Sequence, residues 1–471
     1  MNFHTLSYFV FLAFAAVFYS LVKKEKRAIL ILTFSLLFLG FNSLLSVVLA
    51  LGLSSSNFIF LQLMHKRSEK DLFFKLGIIF NCTALLAFNY LFFFHEQGKA
   101  STNEISFMLS DHITFIGISF YTIQHILTLL EYKRECKPFV YSFSDFLSSS
   151  LFFPKIIAGP IQSNTSIIEQ ILQKKQSKSI IVSGINRFSI GLFKKIVIAD
   201  RLSLYVHSLF DFGERHTVIL LLVSGLLFTI QLYFDFSGYC DMAIGSARMF
   251  GIELKENFNM PLRSVSVTEF WRKWHITLMD FFKNTIFLPI AYHFRNKKEL
   301  GITLAIAATF LISGIWHGIG TGFFIWAILH FIYIVSEHSL LKTRHKCSSK
   351  SLYFLKWMCT LVLISFSNIF FRSKNGESTL QYVRDLFQNN FFPDSWLKDF
   401  WAKISSGGMQ ADYFNLAISI ILLTIFLLFE NKINRKSNET TFSIFYFGSI
   451  IGLVLLFGVF DKGERFIYMQ F

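Results

Sequence analysis

Ten apolar runs follow one another along this chain, at about residues 6–22, 28–64, 72–94, 106–131, 180–199, 217–250, 301–340, 352–371, 414–429 and 442–460. A helix needs about 20 apolar residues to cross the hydrocarbon of a bilayer, and in lipid a helix satisfies every backbone polar group internally. The pattern therefore predicts an all-α, polytopic membrane protein with about ten to twelve transmembrane helices plus shorter re-entrant or interfacial ones. Composition agrees, since charged residues make up 16% of the chain against about a quarter in soluble proteins, and 61 Phe stand beside only 6 Pro.

The net charge of +15 does not run along one face, as nucleic-acid binding would require. It falls in short clusters between apolar runs, at 23–27, 65–70, 133–137, 174–178, 295–298, 342–350 and 432–436, which the positive-inside bias puts in the cytoplasm. Segments near 97–104, 374–412 and the extreme C-terminus then lie outside. The stretches 139–160 and 233–289 stay ambiguous, because polar residues interrupt them at apparent membrane depth. The first run has no Lys or Arg before it and Lys23, Lys24, Lys26 and Arg27 after it, the reverse of a signal peptide, so it is expected to persist as a span with its N-terminus outside. Neither a fixed-period repeat nor a Gly/Ser linker divides residues 1–471, which are expected to form a single membrane domain. Trp396 and Trp401, set among charges in 374–412, point to an amphipathic element at the outer interface.

Missing motifs narrow the chemistry. There is no Gly-x-Ser-x-Gly elbow, P-loop or His-Glu-x-x-His, and the five Cys form no Cys-x-x-Cys pair, so serine hydrolase, nucleotide-driven pump, zinc site and disulfide framework all lose support. What remains is a set of polar residues inside apolar sequence. His317 lies in Ile312-Ser-Gly-Ile-Trp-His-Gly-Ile-Gly-Thr321, with Gly314, Gly318 and Gly320 removing bulk around it. An intramembrane imidazole is a functional candidate by default, although one bonded to a neighbouring helix, with glycines serving packing, gives the same pattern. Asp235 and Asp241 are carboxylates in an apolar run; they need cations, for which Arg248, Arg263 and Arg272 are near in sequence, whether as site or as structural ion pairs. Trp271, Arg272, Trp274 and His275 read either as site residues or as an interfacial belt. Pro154, Gly159 and Pro160 should break a helix into a re-entrant turn. Ser119, Tyr121, Gln124 and His125 carry polar atoms along one span, facing the same cavity or packed in a hydrogen-bonded face. A buried imidazole suits acyl transfer, because it can take a proton from an attacking hydroxyl.

These residues carry a resemblance. The runs Gly117–Gln124, Phe153–Pro160, Tyr233–Gly245, Glu256–Asn259, Glu269–His275, Trp316–Gly318 and Phe370–Arg372 occur in one order over about 117–372, and in this the chain resembles the membrane-bound O-acyltransferase family, in its bacterial branch of alginate O-acetylation and teichoic-acid D-alanylation proteins. The resemblance implies helices around a central funnel, a catalytic His317, a second histidine at His275, and Trp316, Asp235, Asp241, Arg272, Trp274, Gln124 and Asn257 as tunnel or supporting residues. It also implies acetyl-CoA or another cytoplasmic acyl thioester as donor, no bound cofactor or metal, and a multi-pass protein of the bacterial cytoplasmic (inner) membrane. The partners it implies are the lipid bilayer, an outer-side acyltransferase and a polysaccharide acceptor, with no nucleic acid. The tail 465–471 is similar to an aromatic tail in this branch and makes Tyr468 a candidate acyl relay, or else an interfacial anchor. Relatives of the alginate type carry Arg-Asp-Tyr and Ile-Pro-Leu-Gly-Gly where this chain has Lys283-Asn284-Thr285 and Leu288–Tyr292. D-Alanyl transfer to a cell-wall polymer is the alternative within the branch. A carrier or flippase lined by the same polar residues is the alternative outside it, disfavoured by the lack of two related halves.

Overall fold

The structure is a computed structural model that describes residues 3–41, 43–98, 117–135, 138–173, 176–210, 217–341, 349–373, 376–389, 391, 396–406, 413–437, 444–460 and 467. Among the described residues the regular structure is entirely helical. The chain begins with α1 (Leu6–Leu21), α2 (Arg27–Gly40), α3 (Leu44–Lys66) and α4 (Lys70–Gly98), and continues with α5 (Ile118–Glu135) and the short α6 (Phe143–Ser150) and α7 (Asn164–Gln173). Next come α8 (Lys178–Leu192), a π-helical stretch at Phe193–Ala199 and α9 (Asp200–Leu209), then the long α10 (Val218–Met249). Short pieces follow, α11 (Val267–Lys273), α12 (Ile276–Phe282) and α13 (Leu288–His293), before the hairpin of α14 (Lys298–His317) and α15 (Thr321–Leu341). The chain ends with α16 (Lys350–Arg372), α17 (Gly376–Gln388), α18 (Trp396–Ser406), α19 (Tyr413–Ser437) and α20 (Ile444–Phe457). Several long helices start where Ser or Thr accepts an otherwise unpaired amide: Thr5 caps α1, Ser43 α3, Thr217 α10 and Ser349 α16.

Seven helices among the described residues are long and apolar enough to cross a membrane, namely α3, α4, α10, α14, α15, α16 and α19, and α1 and α20 are shorter apolar helices. Two further expected passes fall outside this set for physical reasons. The 14 residues of α2 reach about 21 Å at 1.5 Å each, short of the hydrocarbon thickness. The continuous α8–π–α9 rod buries Arg187, Lys194, Lys195, Asp200 and Arg201, so it is too charged to count as an apolar span.

That rod packs antiparallel against α10 through opposed glycines, Gly184 with Gly245 and Gly191 with Gly238. A Cβ on Gly191 would come within 2.5 Å of the Gly238 carbonyl oxygen, so only glycine allows the backbones to approach this closely. Close approach brings the charges on the two helices into contact. Asp241 binds Arg187 and Lys194, and Asp235 binds Lys195, which also pairs with Asp200. The cations nearer in sequence, Arg248, Arg263 and Arg272, therefore do not supply the ion pairs expected of them for these aspartates.

Both ambiguous stretches resolve. Residues 151–163 are irregular and link α6 to α7, as the proline and glycine positions predicted, and nearly all are buried. Of the 233–289 stretch, the first part is the interior end of α10 and the remainder is the short helices that approach the core. The 374–412 segment holds α17 and α18, and α17 buries Ser378, Thr379, Tyr382 and Asp385 along one face while leaving Leu380 and Phe387 exposed.

Candidate active site

His317 is the last residue of α14, and Gly318 ends the helix with a backbone that would force any side chain into the ring of Phe323. Gly314, one turn earlier, sits against the Phe323 backbone and Ala327 of α15, so it closes the hairpin rather than widening the space at His317. The imidazole is 8% exposed and held edge-on by the rings of Trp316, Trp326 and Phe371, at centroid distances of 4.7, 5.4 and 4.9 Å. It borders a small, narrow pocket whose wall also includes His275, His330, Ser313, Asn368 and the rings of Trp271, Trp274 and Phe371.

His275 reaches this cavity from a strained backbone. It lies between α11 and α12 with φ 45° and ψ 50°, a left-handed conformation rarely adopted by a residue with a Cβ. The strain is held from both sides. Its carbonyl accepts the first amides of α12, from Leu278 and Met279, both at 3.0 Å. Asn257 clamps the other side: its carbonyl accepts the Ile276 amide at 2.9 Å, and its Oδ1 accepts the Thr277 amide at 3.2 Å and the Thr277 hydroxyl at 2.6 Å. The Trp316 ring lies between the histidines, 6.2 Å from His275 and 4.7 Å from His317, and its Nε1 has no hydrogen-bond partner among the described residues. We expect Asn257→Ala to release the left-handed turn, lowering activity about tenfold or more with little change in yield, as loss of a buried amide's hydrogen bonds would. Unchanged activity in a membrane assay would separate Asn257 from the site.

His330, on α15, is a wall residue that nothing in its local sequence marks. Trp271 Nε1 donates to its Nδ1 at 3.2 Å, and its Nε2 lies 3.0 Å from the Ser367 hydroxyl of α16. A second, smaller pocket shares Phe270 and Ile364 with the first, and its remaining wall is Pro261, Leu262, Ser264, Thr360 and Leu361. Order along α16 sets its direction. That helix starts at Lys350, beside a basic cluster expected in the cytoplasm, and meets the second cavity at Thr360, Leu361 and Ile364 before the first at Ile364, Asn368 and Phe371. The second pocket thus lies nearer the Lys350 end of α16 than the pocket that His317 lines.

Residues 97–377 match the family described as membrane-bound O-acyltransferase (MBOAT). The chain belongs to the MBOAT family. It is 34% identical over 382 residues to a peptidoglycan O-acetyltransferase of Helicobacter pylori, covering 75% of this chain and 72% of that one. It is 30% identical over 362 residues to the probable alginate O-acetylase AlgI of Pseudomonas aeruginosa, covering 74% and 66%, so the match spans slightly less than two thirds of that relative. A teichoic acid D-alanyltransferase of Bacillus subtilis is 26% identical over 226 residues, 46% of this chain and 57% of that one. The protein is a multi-pass membrane O-acyltransferase.

Within this MBOAT protein the remaining candidate residues separate. Trp274 lines the cavity, stacked on Phe270 at 5.3 Å. Arg272 is exposed and does not line it. Asp241 belongs to the α8–α10 ion network. Asp235 holds Lys195 with one oxygen and accepts the Ile467 amide at 2.8 Å with the other, tying the end of the chain to α10 one turn beyond the cavity residue Leu232. Tyr468 lies outside the described residues. Gln124 and His125 form a packed polar face away from the cavity wall: Gln124 Oε1 accepts from Lys155 Nζ at 2.7 Å, and His125 bonds Ser150 at 2.7 Å. Lys155 is fully buried on the amide oxygens of Gln124 and Asn164, a role for the Phe153–Pro160 motif that its helix-breaking residues did not signal. No residue of 283–292, where the chain departs from alginate-type relatives, lines the cavity.

Proposed function

We propose that this MBOAT protein accepts an acetyl group from a cytoplasmic acyl thioester and passes it across the membrane for O-acetylation of an exported or cell-surface polysaccharide. The observation that carries the reading is one pocket lined by both His317 and His275, with a second small pocket that shares Phe270 and Ile364 with it on the side of the expected cytoplasmic end. His317 acts as general base. An acceptor hydroxyl gives its proton to the imidazole as its oxygen bonds to the acyl carbon; the carbon–sulfur bond breaks, and the departing thiolate takes the proton back, so the histidine is regenerated. His275, on the wall of the same pocket, helps to position the thioester on this reading. The names of the two relatives most similar among those above, peptidoglycan O-acetyltransferase and probable alginate O-acetylase, support acetyl over D-alanyl as the group moved. On this reading the donor is acetyl-CoA or a related thioester, the membrane is the bacterial cytoplasmic membrane, and an outer-side acyltransferase completes delivery to the glycan. On this reading Tyr468, next in sequence to the Ile467 whose amide Asp235 holds, is the acyl relay.

The test compares surface polymer from cells with and without the gene, releasing esters with mild base and measuring acetate and D-alanine separately. Loss of polymer acetate alone is expected. Loss of D-alanine instead would move the chain to the D-alanyl reading, and no change in either would remove the proposal.

A further inference from the structure

His330 lines the same cavity as His317 and His275, yet its two ring nitrogens are already engaged. An indole nitrogen can only donate, so the contact from Trp271 Nε1 at 3.2 Å requires a lone pair on His330 Nδ1. The proton of the neutral ring then sits on Nε2, facing the Ser367 hydroxyl at 3.0 Å. Ser367 in turn donates to the Ile364 carbonyl oxygen at 2.9 Å, which leaves its own lone pair to receive Nε2–H. Every hydrogen in the chain Trp271, His330, Ser367, Ile364 runs in one direction, and an imidazolium could not take part because it has no acceptor nitrogen. A ring so engaged does not serve as the base.

The partners show what the chain of bonds does hold. Trp271 lies four residues before His275, on the helix that leads into the strained turn. Ser367 precedes Asn368 and lies one helical turn before Phe371, both on the cavity wall, and Phe371 packs on His317 at 4.9 Å. On its own helix His330 packs against Trp326 at 4.8 Å, and Trp326 also meets His317 at 5.4 Å. Three separate elements, α11, α15 and α16, thus converge on one imidazole, and each carries a wall of the two-histidine cavity.

We propose that His330 is a positioning residue for acyl transfer: locked as the Nε2–H tautomer, it clasps α11, α15 and α16 together and so fixes the spacing of His275 and His317. The role rests on the acyl-transfer reading above. Glutamine can replace such a ring, because its amide oxygen can accept from Trp271 while its amide nitrogen donates to Ser367. Leucine keeps the bulk but makes neither bond.

The experiment measures free-thiol release from acetyl-CoA by the purified full-length protein in lipid nanodiscs, with soluble glycan oligosaccharides supplied as the hydroxyl acceptor and His317→Ala as the blank. His330→Leu is expected to lower kcat about tenfold or more with the acetyl-CoA KM and the pH profile little changed, and His330→Gln to recover to within about threefold of the parent. Trp271→Phe, which keeps a ring but removes the donor, should lower kcat in the same direction, and its combination with His330→Leu should be no worse than His330→Leu alone. Should His330→Leu not yield folded protein, Trp271→Phe and Ser367→Ala carry the comparison with His330→Gln. Glutamine as inactive as the blank would overturn the proposal in favour of direct proton transfer, and leucine, Trp271→Phe and Ser367→Ala all at parental rate would overturn it as a positioning device. A parent that releases no more thiol than His317→Ala would instead count against the acyl-transfer reading itself.

Discussion

His317→Ala is expected to reduce acyl transfer by about a hundredfold to ten-thousandfold, the range a positioned general base contributes, while the protein still reaches the membrane in normal amount. The two halves of this expectation have different causes. The imidazole borders a cavity rather than filling the seam between helices, and its neighbours Trp316, Trp326 and Phe371 also pack on Phe120, on His330 and on Phe323, so the wall stands without it. Its chemistry has no such substitute. His275 lines the same pocket from a strained turn, and His330 has both nitrogens committed. The measurement is polymer acetate in cells that carry the variant, set against the amount of protein in the membrane fraction. Activity within about threefold of the parent at equal protein would remove His317 from the chemistry, because a general base cannot be deleted at so small a cost.

Why His317 and His275 were legible while His330 was not follows from how each is embedded. The first two sit in distinctive local sequence, small residues around one and paired tryptophans before the other, and each is costly in an apolar setting. His330 lies in Trp326-Ala-Ile-Leu-His330-Phe-Ile-Tyr, where nothing nearby marks it, although the same cost of an imidazole in lipid applied. The helices themselves followed from apolar run length, and the break at 151–163 from its prolines and glycine. Ion partners did not follow. Sequence proximity suggested Arg248, Arg263 and Arg272 for the two aspartates, whereas the partners are Lys195, Lys194 and Arg187, at separations of 40, 47 and 54 residues. Such pairs arise because α8 and α10 run antiparallel with glycines in register, a tertiary fact that no single run contains. Lys194 and Lys195 were also easily read past, since two adjacent lysines look like a solvated end of a span.

The largest loss of stability is expected from Asp241→Ala. Its carboxylate is buried; Oδ1 takes Arg187 Nη2 at 2.6 Å and Nε at 2.7 Å, and Oδ2 takes Lys194 Nζ at 2.7 Å. Alanine would leave two cations inside the α8–α10 seam with one carboxylate removed. Arg187 keeps Glu256 at 2.6 Å, but the Glu256 side chain is 45% exposed and sits at the edge of the network. Stranding a buried charge in this way costs about 3–5 kcal/mol, a large fraction of the stability of most folded domains. The variant should therefore leave the monodisperse peak in detergent well below the parental melting temperature. Adding Lys194→Met should recover part of the loss by removing one stranded cation, since an apolar side chain of similar length can fill its place. Alanine in place of the exposed Asp71, which pairs with Lys133 at 2.9 Å, provides the contrast and should leave the melt unchanged. If Asp241→Ala melts with the parent, the seam is held by glycine packing alone and the ion network is dispensable. If it melts early, activity should fall with it, because α10 carries the cavity residue Leu232 and the Asp235 anchor of the chain end on the same rod that Asp241 fastens.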